Sequence, residues 1–508
     1  MEIADIASER DAARAERDRA IEQNERWRHL LRQLQRARFG RSSEKLDPDQ
    51  MQLALEDIEQ AVARGEAEDE KHDATLKAAR TKVRSQTRKS LPAHLARIEV
   101  VIAPQDTLCP CCQGRMHVIG EDKSERLDVI PAQFRVIVTR RPKYACRSCE
   151  SSVVQAPAPE RLIKGGLPTE ALVAQILVSK YAWHLPLYRQ AQMLASQGIE
   201  IDRSTLAFWV GYAAAELAPV AERLREILLG SAKIVVDETP APVLDPGRGR
   251  TKTGYFWAIA SDDRPWGGTD PPAVVYTYAP GRGAEHGLKL LAGYSGIVQC
   301  DGYAAYKRLA DPKREGGAVI LAFCWSHWRR RFYEIAKSGP APIASEALKR
   351  IATLYAIEAK IRGRHAEERR LVRQAESKPL VEDLKTWLKV QLALVSGKSG
   401  IAVAIRYGLN HWDGLLRFLD DGRIEMDTNA VERSMRPIAL GRKNALFAGH
   451  DEGAVNWACI ASLIETCKLN GVDPQAYLAD VLTKLVNLWP ASHLDELLPS
   501  AWARANIA

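Results

Sequence analysis

Two acidic residues of this sequence directly follow short apolar runs, and a third lies in a helical pattern farther along the chain. Asp237 follows Ile234-Val235-Val236, Asp301 follows the strand predicted over 297–300, and Glu432 comes later. Cleavage and transfer of a phosphodiester need two metal ions about 4 Å apart, which activate the attacking oxygen and stabilise the leaving one. Because Mg²⁺ prefers carboxylate oxygens, the sequence predicts a site for two Mg²⁺ or Mn²⁺ ions held by Asp237, Asp301 and Glu432.

Basic side chains follow the third acid on the same predicted helix. Arg433 is adjacent to Glu432, and Arg436 shares its helix face because it lies four residues on. Arg442 and Lys443 come shortly afterwards. Cations beside a metal site can hold phosphates through charge-assisted hydrogen bonds. We therefore expect nucleic-acid contacts at Arg433, Arg436, Arg442 and Lys443.

Two other acids compete with Glu432 for the third position. Glu425 lies near Arg423, where an exposed salt bridge is the ordinary outcome. Asp427 is placed to cap the helix, accepting backbone N–H groups at its positive end. Glu432 is predicted to lie more than one turn inside the helix, and it is the preferred ligand.

The elements that must position these acids predict an α/β domain. Strands are expected at 234–236, 255–260, 273–278, 297–300 and 318–323, with a helix at 284–291 before the fourth strand. This order is that of a ribonuclease-H-like sheet, in which the strands before Asp237 and Asp301 are neighbours. A helical insertion interrupts it over about 338–420. A lone aspartate at a strand end is more often a turn residue, but three acids in this order favour a site.

A helix-turn-helix pattern precedes the α/β region. One helix is predicted from Leu187 to Ser196, Gly198 ends it, and a second helix begins after Asp202 as its N-cap. Arg203, at the start of the second helix, is the candidate DNA contact. The pattern alone does not establish DNA binding, since such hairpins are common in other proteins.

Five of the nine cysteines fall in two short clusters. Cys109/Cys112 and Cys146/Cys149 are each spaced C-x-x-C and together supply four thiolates, which suit one tetrahedral structural Zn²⁺. Cys111 is an extra thiol that could replace a neighbour. Buried or redox-active thiols are the alternative. A four-ligand site would fold a small module and leave no open position for substrate.

The first part of the chain is predicted to be helical. Ile6, Ala13, Ala20, Trp27 and Leu34 are spaced seven apart, which indicates a weak coiled coil or a helical hairpin and favours a homo-oligomer, a dimer or larger. The segments 26–45 and 77–89 are strongly basic, so DNA contacts are expected at Arg38, Arg41 and Lys45. Alternatively, these two basic segments are a solvent-exposed helix face and a linker that do not contact DNA.

Composition and pattern define a multidomain α/β protein of 508 residues with 46% hydrophobic residues and a net charge of +8. No apolar stretch is long enough to span a membrane and no signal peptide is evident, so a cytoplasmic, nucleoid-associated protein is expected. The predicted divisions are a helical/coiled-coil segment (1–65), a basic linker (66–90), a four-cysteine zinc-binding module (91–157), a helix-turn-helix-like domain (165–228), the catalytic domain (229–452) and a C-terminal helical segment (453–508).

The chain resembles the transposases of the insertion-sequence-66 family of bacterial mobile elements along nearly its whole length. The motifs that carry the resemblance are Phe39-Gly40-Arg41-Ser42-Ser43-Glu44-Lys45-Leu46, the two cysteine pairs, Asp237-Glu238-Thr239-Pro240, Asp301-Gly302-Tyr303, Cys324-Trp325-Ser326-His327, Asn429-Ala430-Val431-Glu432-Arg433-Ser434-Met435-Arg436-Pro437, Gly441-Arg442-Lys443-Asn444 and Asn470-Gly471-Val472-Asp473-Pro474. The extra Cys111 between the first pair is the one departure noticed.

The resemblance implies DDE transposition chemistry, with Asp237, Asp301 and Glu432 matching the three acids of the family. Water would expose a 3′ hydroxyl at the element's terminal inverted repeat, and that hydroxyl would attack target DNA without a covalent enzyme intermediate. Accessory proteins of the same element are possible partners.

Cys324 and His327 match a Cys-x-x-His element found in several DDE families. A structural role near the site is favoured over metal ligation, because no second ligand pair is evident. Arg329 and Arg330 on the same helix are expected to contact phosphate.

Two other functions share these features. A ribonuclease-H-like nuclease that cuts without strand transfer would use the same acids. A DNA-binding regulator, or an inactive transposase, would bind DNA through the zinc module and the helix-turn-helix, and the three acids would have no catalytic role.

Overall fold

A computed structural model describes residues 73–75, 77–79, 82, 134–145, 153–163, 166–245, 250–445, 448 and 450–506. The chain divides into two units, residues 1–142 and 143–508. The described part of the first unit comprises helical residues between 74 and 82 and a segment over 134–142 without regular secondary structure. Predictions for Arg38, Arg41, Lys45, the coiled coil and the four zinc cysteines lie outside the described residues.

The second unit begins with a short antiparallel pair, β1 (Lys143–Ala145) and β2 (Val153–Gln155). Three helices follow: α1 (Glu170–Tyr181), α2 (Leu187–Ala195) and α3 (Arg203–Leu229). Gly198 adopts a φ of +77° after α2, a conformation that glycine takes without steric cost, so the predicted helix–glycine–helix hairpin is present. Asp202 precedes α3, but its side chain makes no capping hydrogen bond, so its carboxylate acts there only through its charge near the helix N-terminus.

A five-stranded mixed sheet forms the centre of the second unit. Its strands are β3 (Lys233–Asp245), β4 (Arg250–Ser261), β5 (Ala273–Ala279), β6 (Ile297–Cys300) and β7 (Ile320–Phe323), with α4 (Ala284–Leu290) between β5 and β6 and α5 (Ala304–Lys307) between β6 and β7. The spatial order is β5-β4-β3-β6-β7. β3, β4 and β5 are antiparallel, whereas β6 and β7 run parallel to β3. The strand before Asp237 therefore lies beside the strand before Asp301.

β3 is longer than the three-residue strand that the sequence predicts. Beyond Val235 it no longer pairs with β6, but it pairs with β4 as far as Asp245. Pro240 and Pro242 lie in this extension, where β6 no longer pairs with β3; the only backbone partner described on that edge is Ala448, whose N–H donates to the carbonyl of Pro242 at 3.0 Å, so neither proline has to donate an N–H there. Asp237 consequently lies within β3 and not at its end.

A helical region separates β7 from the segment that carries Glu432. Its helices are α6 (Trp325–Ser338), α7 (Pro342–Ile361), α8 (Ala366–Val372), a π-helical turn (Arg373–Ser377), α9 (Lys378–Leu394), α10 (Gly400–Asn410) and α11 (Trp412–Asp420). They enclose a core of their own, built around Trp325, Trp328 and Phe332, each of which is fully buried.

The chain then forms α12 (Asn429–Ala445), α13 (Asp451–Leu469), α14 (Pro474–Val486), a 3₁₀ helix (Ala491–Leu497) and α15 (Pro499–Asn506). α13 covers the outer edge of β5. The hydroxyl of Ser462 accepts the N–H of Tyr276 at 2.8 Å, while the Thr466 hydroxyl accepts the N–H of Val274 at 3.1 Å and donates to its carbonyl at 3.0 Å. Among the described residues, no helix is long and apolar enough to cross a membrane.

Candidate active site

Asp237 lies in β3 at the point where that strand leaves β6. Its carboxylate accepts the backbone N–H of Glu238 at 3.0 Å. Burial raises the pKa of Asp237 and the neighbouring Glu238, Asp301 and Glu432 carboxylates add to this effect, against the lowering effect of the Glu238 N–H, so that the pKa is about 7. The group therefore lies in a region of negative potential, where a cation would be favourable.

Asp301 follows β6 directly, as predicted, and its carboxylate accepts the backbone N–H of Tyr303 at 2.9 Å. The turn after Asp301 packs against α10. A Cβ atom on Gly302 would overlap the Tyr407 side chain and lie 3.1 Å from His411 Nε2, which explains why glycine stands there. The helical region therefore fixes the turn that holds the second acid.

Glu432 reaches the site from α12. The segment before that helix is anchored to β6, because the Gln299 side-chain amide donates to the carbonyls of Glu425 at 2.6 Å and Asp427 at 3.0 Å. The Thr428 hydroxyl donates to Glu432 at 3.2 Å. The prediction that Glu432 lies more than one turn inside its helix is wrong: α12 begins at Asn429, which puts Glu432 in the first turn.

The two competing acids have other partners. Asp427 accepts the N–H of Asn429 at 3.1 Å at the start of α12, but it lies one residue before the capping position predicted for it, which Thr428 occupies. Glu425 does not pair with Arg423, which bonds Asp421 at 2.7 Å. The Glu425 carboxylate instead lies 2.6 Å from the guanidinium of the fully buried Arg369. The distant helical region supplies this partner, which neighbouring residues in the sequence do not indicate.

Glu238 is a site residue that sequence reasoning missed. Its side chain is only 1% exposed, ion-pairs with Arg282 at 2.6 Å and accepts a hydrogen bond from the hydroxyl of Tyr306. The Arg282 guanidinium stacks over the ring of Tyr303 at 3.9 Å. Glu238 thus ties the strand of Asp237 to the residues that follow Asp301. Its position directly after Asp237 could have indicated that Glu238 lies beside the acid site.

The predicted phosphate-binding cations have different environments. Arg203, Arg330, Arg433, Arg436 and Lys443 are exposed, and Arg329 is half-buried. The guanidinium of Arg442 donates to the carbonyl of Pro240 and is therefore already bonded to β3. Burial lowers the pKa of Arg442.

Cys324 and His327 lie beside Glu432. Cys324 is the residue before α6, and its buried sulfur accepts the N–H of Thr428 at 3.3 Å. Burial raises the pKa of its thiol to about 12, against the lowering effect of hydrogen bonds from Thr428 and His327. His327 Nδ1 lies 3.7 Å from a carboxylate oxygen of Glu432.

Asp237→Asn is expected to stabilise the protein at alkaline pH when no Mg²⁺ is added. The folded pKa of Asp237, about 7, exceeds the ordinary value of about 3.9, so this group's contribution to stability is present below about pH 4 and is lost as the pH rises through 7. Asp237→Asn has no carboxyl to ionise at this position, so its stability should decrease less as the pH rises. Thermal melts at pH 5.5 and pH 8 should show a smaller decrease for the variant, and added Mg²⁺ should raise the melting temperature of the wild type alone.

Asp245→Asn, at the far end of the same strand, controls for the loss of one acidic charge. Equal pH dependence for wild type and Asp237→Asn would contradict the expectation.

The sequence is similar to known families over most of its length. Residues 165–456 match the model described as Transposase IS66 family, residues 106–150 a zinc-finger binding domain of transposase IS66, residues 462–500 an IS66 C-terminal element, and residues 26–100 a model described as Transposase C of IS166 homeodomain. The zinc-finger match contains all four predicted zinc cysteines.

Three relatives from Sinorhizobium fredii, strain NBRC 101917 / NGR234, are also similar. The chain is 46% identical to the uncharacterized protein y4jD over 477 residues, covering 92% of this chain and 93% of that one. It is 44% identical to y4qI, covering 96% and 92%, and 40% identical to y4hP, covering 94% and 88%.

Proposed function

Because the chain belongs to the IS66 transposase family, we propose that it cleaves DNA at the ends of a mobile element and joins the 3′ hydroxyl ends to target DNA. The observation that supports this proposal is that Asp301 and Glu432 lie close enough to Asp237 to act on it: the pKa of Asp237 is raised mainly by burial, and the carboxylates of Glu238, Asp301 and Glu432 add to the shift. The sheet order β5-β4-β3-β6-β7, with three antiparallel and two parallel strands, supports a ribonuclease-H-like catalytic domain.

The three acids fit divalent metal ions. They offer oxygen ligands, which Mg²⁺ and Mn²⁺ prefer. Burial is the main cause of the raised pKa of Asp237, and the nearby carboxylates that add to it carry negative charge that cations would neutralise. When bound, two such ions would activate the attacking oxygen and stabilise the leaving oxygen of the phosphodiester. The backbone N–H groups of Glu238 and Tyr303 orient the Asp237 and Asp301 carboxylates, and the Thr428 hydroxyl orients Glu432.

Cationic side chains near the acids would hold the DNA backbone. Arg433 and Arg436 lie on α12, and Arg329 and Arg330 lie on α6, which begins beside Glu432. Their role is to bind phosphates on either side of the scissile bond, which places the DNA for in-line attack. Residues 1–90 and the α2–α3 hairpin with Arg203 would supply affinity for the terminal repeats, and we expect this binding to weaken steeply with salt.

Strand transfer is tested with an oligonucleotide that carries an already exposed 3′ hydroxyl at the element end. The full chain in Mg²⁺ or Mn²⁺ should join this end to a supercoiled plasmid. A protein that cuts uncut ends but never joins the pre-cut end would be a nuclease, and the proposal would be wrong. Binding to the ends without cutting or joining would indicate a DNA-binding regulator or an inactive transposase.

One structural Zn²⁺ is expected at Cys109, Cys112, Cys146 and Cys149. Cys146→Ser should lose this ion, because three thiolates bind more weakly than four, while the catalytic domain stays folded. Metal analysis after purification under reducing conditions, without chelator, decides the matter. The same zinc content in the variant and the wild type would refute the ligand assignment.

A further inference from the structure

A thiol, an imidazole and a carboxylate meet where α6 begins beside the first turn of α12. Cys324, His327 and Glu432 each offer one ligand atom, and these atoms lie within 4.8 Å of one another. Cys324 and His327 belong to a single turn of chain, whereas Glu432 is brought in because the segment before α12 is bonded to Gln299 of β6. The cluster is therefore held by the tertiary structure.

One ring nitrogen in the cluster has no hydrogen-bond partner in the described part of the chain, and a bound cation would give it a partner. His327 Nδ1 is buried and has no hydrogen-bond partner among the described residues. A buried polar atom without a partner costs free energy, typically about 1–3 kcal/mol, so it marks a place where a ligand is expected. The N–H of Thr428 donates to the sulfur of Cys324 at 3.3 Å, which fixes the position of this ligand atom within the cluster.

The separations are close to those of a tetrahedral site. With bonds of about 2.3 Å to sulfur and about 2.0–2.1 Å to nitrogen and oxygen, tetrahedral ligand atoms lie roughly 3.4–3.6 Å apart. His327 Nδ1 and the nearer oxygen of Glu432 are already 3.7 Å apart. Small side-chain rotations would bring all three atoms onto one ion.

We propose that Cys324, His327 and Glu432 bind a borderline divalent ion, Zn²⁺ by preference. Sulfur and imidazole ligands favour Zn²⁺ over Mg²⁺, which takes oxygen ligands. Three protein ligands leave a fourth position open for water or a phosphate oxygen, as in catalytic zinc sites and unlike the four-cysteine module. This site replaces the purely structural role predicted for Cys324 and His327. It shares Glu432 with the proposed DDE acids, but its occupancy does not require that transposition occur.

The test is the zinc content of full-length protein purified under reducing conditions without chelator. Cys324→Ser and His327→Ala should each carry one zinc fewer per chain than the wild type. Cys146→Ser should independently lose the other ion, and Cys146→Ser combined with Cys324→Ser should lose both. Cys459→Ser, a change of a partly buried cysteine elsewhere in the chain, is the matched control and should keep the wild-type content.

His327→Ala guards against misfolding, because the His327 side chain is 31% exposed and its loss leaves no large cavity. Thermal melts establish that each variant is folded. Cobalt-substituted Cys146→Ser protein should retain a thiolate-to-cobalt charge-transfer band that disappears when Cys324 is also changed. Folded Cys324→Ser and His327→Ala proteins with the wild-type zinc content would overturn the proposal. Zinc loss in both variants would uphold it even in a protein that joins no DNA.

Discussion

Glu432→Gln is expected to abolish DNA cleavage and strand transfer while leaving binding to the element ends nearly unchanged. The substitution keeps the shape of the side chain and removes the charge that would hold a metal ion. A lost metal ligand should reduce the rate by at least about 1,000-fold, equivalent to ~4 kcal/mol of transition-state stabilisation. Cleavage and joining are measured with labelled end repeats in Mg²⁺, and binding is measured by gel shift.

The structure offers a matched control for this substitution. Glu452 also lies in the first turn of a helix, α13, and its side chain is exposed. Glu452→Gln removes the same charge at the same kind of position and should retain wild-type activity. Full activity of Glu432→Gln would rule out this residue as the third acid.

Glu425→Gln is a poor control, because the Glu425 carboxylate compensates the buried Arg369. A decrease in activity of that variant would therefore accompany a decrease in stability.

Glu358→Ala is expected to destabilise the helical region more than other single changes there. Glu358 lies 2.7 Å from Arg373 and 3.2 Å from Arg369, whose side chains are 0% and 1% exposed. Removing one partner of a buried ion pair leaves uncompensated charge and costs about 3–5 kcal/mol. Hydrogen exchange of residues 342–420 and thermal melting should both show the loss.

Glu346 lies on the same helix as Glu358 and provides the comparison. It pairs with Arg350 at 2.8 Å, but the two side chains are 39% and 29% exposed. A partly exposed pair of this kind contributes about 0–1 kcal/mol, so Glu346→Ala should change stability little. Similar destabilisation by both substitutions would show that burial does not decide the contribution of Glu358.

Local patterns were sufficient to predict the parts of the site that depend on short stretches of chain. Apolar runs before Asp237 and Asp301 indicated two neighbouring strands, and the order of strands and helices agrees with the observed sheet. Gly198 marked the turn of the α2–α3 hairpin because few other residues adopt its backbone conformation without strain.

Features that depend on distant parts of the chain were not predictable in this way. The strand before Asp237 was predicted to span only residues 234–236, yet β3 continues to Asp245 because β4 pairs with it over that length. Glu425 was expected to pair with a nearby arginine, but its partner comes from α8. The meeting of Cys324, His327 and Glu432 depends on how the segment before α12 is bonded to β6, which no local spacing reveals.

The hydroxyl groups of α13 along β5 have a consequence for self-assembly. An exposed edge strand recruits another strand through its free N–H and C=O groups, and this is a common route both to specific pairing and to aggregation. The N–H and C=O of Val274 and the N–H of Tyr276 are already bonded within the chain. Extending the sheet with a second copy across these residues would require breaking these bonds, so α13 protects this edge of the sheet against strand pairing.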